Sequence, residues 1–356
     1  MIYLINLIYS SILSYLFDKT KNRFFIFLML CIWSFIIGGQ YGVGTDYFSY
    51  LDIFSNENVL YKYFLKKEYL FYYFVNYFKF IQNKQWLFFF IAIIENYIFY
   101  KLLIYLKKER IIENTSLFVF IFLTYGTTFY NQMNGIRQYF NVYLLTYLVI
   151  FGYEKRYLKY LIVIVIGMNI HASFIIFLPI VILVNIVKKI SLKKILIILL
   201  MVVIFNFLPL NDILKKIATF SKRYHHYIYS EYFEKVPLKG KITKIIYIPF
   251  YIQATTCLKN DKKILANNKL FFLKFGLISF SIKIFCLHSG AFNRIGESFG
   301  ILILFPIYYL LEYSKKKKKI FTFIILFFLI IYLFIVKVFL FPSGEYLYRS
   351  YFFITK

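Results

Sequence analysis

The chain has few acids and few arginines. Seven arginines stand beside 36 lysines, Asp and Glu together number 16, and the formal net charge is +27. Glycine (14), proline (6), cysteine (3) and tryptophan (2) are also scarce. The cysteines, Cys31, Cys257 and Cys286, all lie in apolar runs without metal spacing, and no disulfide framework is implied. His225 and His226 lack a matching acid or cysteine, so no metal site is expected. Scarce outside carboxylates likewise count against metal-assisted phosphoryl transfer. No soluble domain is expected, because the longest polar stretches run to about 35–45 residues, shorter than most independently stable domains. The lysines fall in short clusters between apolar runs rather than on one domain, which argues against nucleic acid as a partner. The first apolar run has no basic leader and no small-residue cleavage site, and it reads as a retained span.

What the chain has is hydrocarbon. It is 61% hydrophobic with a mean hydropathy of +0.67, and the apolar residues come in long runs. The expected fold is all-α: a polytopic membrane bundle of about 12 transmembrane helices in a single domain over residues 1–356. Heavy use of Phe, Tyr, Ile, Asn and Lys also points to a compositional bias of the source genome, so the distribution of charge carries more than its sum. Read by the positive-inside rule, the basic clusters are cytoplasmic. Spans are predicted at about 1–17, 24–40, 86–106, 115–130, 139–153, two within 158–187, then 195–209, 245–258, 270–288, 295–313 and 320–341. The N-terminus and a short C-terminal tail fall outside, as do two long loops at about 41–85 and 210–244. The aromatic stretch 68–81 reads as an interfacial or re-entrant helix.

One polar stretch between apolar runs, Asn131-Gln132-Met133-Asn134-Gly135-Ile136-Arg137-Gln138-Tyr139-Phe140-Asn141, holds an arginine beside hydrocarbon. Arginine grips phosphate or carboxylate with a planar fork and keeps its charge. Asp46, Arg137, Gln138, His171 and Arg294 share the outside face in this topology. Arg137, His171 and Arg294 each precede a helix running inward, and such helix N-termini favour anions. Plainer roles compete: Asp46 as an Asx turn or cap after Gly-x-Gly-Thr, His171 as a core histidine bonded to a carbonyl, Arg294 as the partner of Glu297, and Glu95 paired with Lys101.

Gly42-Val43-Gly44-Thr45-Asp46-Tyr47-Phe48-Ser49-Tyr50 resembles the G-x-G-T-D-Y-x-x-Y stretch of the EpsG family of bacterial membrane proteins. Gly135-Ile136-Arg137-Gln138 resembles a second signature of that family, Asn169-Ile170-His171-Ala172-Ser173 a third, and Asn293-Arg294-Ile295-Gly296 a weaker fourth. The resemblance implies a polysaccharide polymerase of the Wzy type, with a fold similar to the multi-span lipid-dependent glycosyltransferases. Such a protein joins undecaprenyl-diphosphate-linked oligosaccharide repeat units into O-antigen or capsule. It works at the outer side of the bacterial inner membrane, with membrane lipid around it and a chain-length regulator as partner, and it needs no cofactor. The 210–244 loop shows no pattern that aligns.

The residues agree with that chemistry. Arg137 and Arg294 supply fixed charge for a diphosphate leaving group without a metal. Asp46 and His171 are the candidate proton acceptors, with His171 favoured near the diphosphate and Asp46 as base or acceptor-positioner. Gln138, Tyr47 and Thr45 complete the substrate-binding set. Three rival classes remain: a ligase with the same donor and another acceptor, a lipid-linked oligosaccharide flippase, and an envelope acyl- or phosphotransferase. The flippase would expect deep charge and repeats, and neither is visible.

Overall fold

The computed structural model describes residues 1–206, 238–259, 261, 267–342 and 344–353. Among them all regular structure is helical, apart from one isolated β-bridge between Gln40 and Ser350. The helices gather into two compact units, Met1–Val184 with Leu329–Lys356, and Asn185–Phe328.

In the first unit the α-helices are α1 (Ile2–Thr20), α2 (Phe24–Gly38), α3 (Tyr47–Ser55), α4 (Glu57–Leu65), α5 (Tyr69–Phe78), α6 (Gln85–Lys108), α7 (Thr115–Thr124), α8 (Thr128–Asn131), α9 (Ile136–Tyr153) and α10 (Tyr157–Ile170). A 3-10 helix, Ala172–Phe177, leads into α11 (Ile180–Lys189), whose residues from Asn185 onward are counted in the second unit. The core forms where α1, α2, α6 and α7 meet. Trp33 is fully buried there and stacks with Phe99 and Phe122 at centroid distances of 5.6 and 5.5 Å. Its indole N–H, which would be costly to bury unpaired, donates to Ser10 Oγ at 2.8 Å.

Helix α6 fixes the two ends of this unit. Near its last turn Lys107 pairs with Asp18, and Asp18 also accepts from the Thr115 hydroxyl at 2.8 Å and the Ser116 N–H at 3.0 Å. At its first turn the Gln85 amide donates to the Gln40 carbonyl at 2.7 Å, and its Oε1 accepts from the Tyr47 hydroxyl at 2.8 Å. At 1.5 Å per residue these ends are ~33 Å apart. Beside the Gln85 end lies a small second core of Tyr47, Tyr50, Phe54, Phe71, Val75 and Phe88. Stretch 68–81, expected as an interfacial or re-entrant segment, contributes α5 to that core through Phe71 and Val75, with Tyr73 and Tyr77 turned outward.

The second unit contains α12 (Leu192–Phe205), α13 (Leu238–Ile245), α14 (Ile248–Leu258), α15 (Asn267–Phe285), α16 (Gly290–Glu297), α17 (Leu304–Lys316) and the start of α18 (Ile320–Ile335). Its core centres on Tyr251, whose ring stacks on Phe280 at 3.5 Å and whose hydroxyl donates to the Ile303 carbonyl at 2.6 Å.

About 12 crossings were expected. Among the described residues, four helices are long and apolar enough to cross a membrane: Gln85–Lys108, Ala172–Lys189, Asn268–His288 and Ile320–Leu340. Phe24–Gly38, Thr115–Thr124 and Tyr157–Ile170 are apolar but shorter. The expected 115–130 span breaks at Tyr125, Gly126 and Thr127, and the expected 295–313 span breaks at turns over 298–303. The break expected at His171 is present, between α10 and the 3-10 helix. Of the expected 210–244 loop, residues 210–237, including His225 and His226, lie outside the described residues, as do 207–209 of the span before it; α13 covers the rest of the loop.

Candidate functional site

The polar stretch 131–135 turns between α8 and α9, and Gly135 precedes the first residue of α9, Ile136. Arg137 is therefore in the first helical turn, as the sequence implied. Its guanidinium does not stand as an open fork. It lies 4.4 Å from the Tyr63 ring centroid and 4.8 Å from that of Phe71, and it engages the Tyr50 hydroxyl. One terminal nitrogen forms an ion pair with the Glu68 carboxylate. The Arg137 Nε is buried with no hydrogen-bond partner.

Glu68 is the centre of this group, and its side chain is only 3% exposed. One oxygen takes Arg137; the other lies 3.3 Å from His171 Nδ1 and accepts the Ala172 N–H at 2.9 Å. Burial alone raises its pKa, but the His171 hydrogen bond, the Arg137 charge and the Ala172 amide outweigh that and hold it below the ordinary glutamate value. A guanidinium, an imidazole and one backbone amide thus converge on one carboxylate. His171 is half-buried, caps the end of α10, and has Ser173 Oγ 3.4 Å from its Nδ1.

Asp46 reaches the same neighbourhood through Asn134. Gly42 and Gly44 both adopt positive φ, +58° and +75°, which only glycine takes cheaply. A Cβ on Gly44 would fall 2.5 Å from Asn134 Cγ, so the turn lies directly against that side chain. The Asp46 N–H donates to Asn134 Oδ1 at 2.8 Å. Asp46 precedes α3, but its side chain caps nothing; the plain cap role does not apply. The Thr45 hydroxyl, exposed, donates to Asp46 Oδ1 at 3.2 Å. Gln138 follows Arg137 on α9 and is half-buried.

Two expected residues sit differently. Tyr47 is turned into the core, 1% exposed, stacked on Phe88 at 4.8 Å with its hydroxyl held by Gln85. Arg294 belongs to the second unit, and it lies in the last turn of α16 rather than at a helix N-terminus. Glu95 does not pair with Lys101. Six residues apart, they face different sides of α6. Both Glu95 oxygens are buried without a hydrogen-bond partner, while Lys101 lies 5.2 Å from the Tyr97 ring centroid. Among the described residues, no three His, Cys, Asp or Glu side chains gather as metal ligands.

The sequence motifs included Tyr50 without giving it a site role, and they left out Glu68, Tyr63 and the tail's contacts. The C-terminal tail folds back on this end: the Asn134 amide donates to Glu345 Oε1 at 2.8 Å, and the Tyr41 N–H donates to the Arg349 carbonyl at 2.9 Å. Glu68 had a readable signal. Its spacing to Phe71 and Val75 places it on the inward face of one helix.

A family model described as the EpsG family matches residues 23–351. No curated protein matches this chain at significance. Nor does any solved structure.

Proposed function

The chain belongs to the EpsG family of polysaccharide-biosynthesis membrane proteins, and from that premise we propose that it is a polymerase of lipid-diphosphate-linked oligosaccharide repeat units. The observation that supports this most is the convergence of Arg137, His171 and the Ala172 amide on one buried carboxylate. Such a set is an anion site, and Glu68 occupies it as a resident counter-ion. The guanidinium, imidazole and amide that hold a carboxylate are the donors that a leaving diphosphate needs, fixed in advance and partly shielded from water. An apolar groove of about 750 Å3 between α2 and α6, walled by Phe27, Leu30, Phe35, Phe89 and Ile93, suits a polyprenyl tail. Gln85 lines it too, and Gln85 holds Tyr47, the neighbour of Asp46.

In the reaction the acceptor sugar hydroxyl attacks the anomeric carbon of the donor unit. The bond from that carbon to the diphosphate oxygen breaks, and the electron pair leaves with the lipid diphosphate, held by Arg137 and His171. The hydroxyl proton passes to the Asp46 carboxylate. The site faces the exterior of the inner membrane, at the end of the first unit remote from Lys107 and its basic neighbours.

The test is reconstitution. Purified protein with its cognate undecaprenyl-diphosphate repeat unit, and no nucleotide sugar, is expected to give a product ladder that Arg137→Ala abolishes. Transfer onto a separate acceptor without a ladder would make it a ligase; substrate crossing vesicles without transfer would make it a flippase.

A further inference from the structure

The second unit carries its own charged cluster, made of residues from three helices. Lys283 lies near the end of α15, inside the candidate span Asn268–His288, and is 3% exposed. Its ammonium is 3.1 Å from Glu297 Oε2, and Lys244, at the end of α13, is 3.0 Å from Glu297 Oε1. Glu297 closes α16, and exposed Arg294 lies three residues before it, on the same side of that helix. The helices meet closely here: a Cβ on Gly296 would fall 3.2 Å from Lys283 Cα and 3.1 Å from Cys286 Cβ. The cluster sits at one end of the unit. Helix α15 carries Lys269 near its start, ~21 Å from Lys283 by helical rise, and α17 ends at Lys315 and Lys316.

A lysine and a glutamate taken out of water cost several kcal/mol of desolvation, and an apolar pair of similar size would be as stable or more so. Charge retained within an apolar span marks a site. The pattern resembles that of the first unit, where one buried carboxylate lies between the Arg137 guanidinium and the His171 imidazole. A reaction that joins two lipid-diphosphate-linked molecules must hold two diphosphates at once, whereas transfer to a plain acceptor needs one. We propose that Lys283 and Lys244, with Arg294 at the rim, bind the diphosphate of a second lipid-linked molecule, with Glu297 as the counter-ion it displaces. This rests on the polymerase reading above.

Equilibrium binding of labelled farnesyl diphosphate to the full chain in phosphatidylcholine nanodiscs tests it. The wild type is expected to bind two molecules per chain. Lys283→Met, which keeps bulk and removes charge, is expected to leave one, and Arg137→Gln the other. Lys244→Gln, at a less buried position, is expected to weaken the second site without loss of folding, so a misfolded Lys283→Met does not hide the result. One molecule per chain, lost with Arg137→Gln and unmoved by both lysine variants, would overturn the second site and leave the polymerase reading intact. One molecule lost only with the lysine variants would keep the second site and overturn the role of Arg137. No binding would overturn both. Displacement by added phosphatidylglycerol would make the cluster a headgroup seat and overturn its substrate role; displacement by inorganic diphosphate but not by phosphatidylglycerol supports it.

Discussion

Lysine at position 137 would keep the charge and lose the rest. The planar guanidinium lies against Tyr63 and Phe71 while bonding Glu68 and Tyr50, and an ammonium cannot stack and fork together. The sequence makes Arg137 visible, because arginine is rare here and this one sits beside hydrocarbon. Glu68 is less visible, because an acid after two lysines reads as loop punctuation unless its spacing to Phe71 and Val75 is weighed. Glu68→Gln leaves Arg137 buried without its counter-ion, and the expected cost is about 3–5 kcal/mol. Since the Glu68 pKa is lowered on folding, its stabilisation is complete above the ordinary glutamate range and disappears as pH falls through the folded value. Thermal midpoints of wild type and Glu68→Gln, measured from pH 7 downward, are therefore expected to differ most at neutral pH and to converge in acid. A gap constant with pH would remove Glu68 from the charged cluster.

At the scale of elements, the Gly42–Asp46 turn and the 131–135 turn act as one piece, joined through Asn134. The sequence presents both as separate motifs, and only the packing explains why they travel together: Gly44 provides the space that Asn134 fills. Gly44→Ala is expected to cost about 1–2 kcal/mol for the left-handed backbone and also to push Asn134 off Asp46. Product formation is thus expected to fall further than the thermal midpoint accounts for. Equal loss in a remote variant of matched stability would reduce the turn to a fold element. The helix breaks at 125–127 and at His171 differ in legibility. His171 stood at a bend in a run too long for one span, whereas Gly126 lay inside an apolar run of span length. The tail's contacts with Asn134 and Tyr41 were illegible, since they join residues far apart in the chain.

For the whole molecule, hydrocarbon content points to a helical membrane protein, which the helices of the described residues match, and the lysine clusters predict an orientation. Among the described residues, four helices are long and apolar enough to cross a membrane, because several apolar runs are cut by turns that hydropathy averages over. The orientation is tested with single cysteines at exposed positions in a cysteine-free chain. In intact cells Ser49→Cys is expected to react with an impermeant maleimide, and Lys318→Cys only after permeabilisation. The reverse pattern would place the Arg137 cluster on the cytoplasmic side.

The most direct measurement compares wild type, Arg137→Lys and Arg137→Ala in the reconstituted polymerisation assay, with folding of each checked by gel filtration and thermal midpoint. Arg137→Ala is expected to give no ladder. Folded Arg137→Lys is expected to polymerise about tenfold or more slowly, matching the roughly 1.5–3 kcal/mol of a hydrogen bond to a charged group. A folded Arg137→Lys that polymerises as fast as wild type would contradict the role given to Arg137.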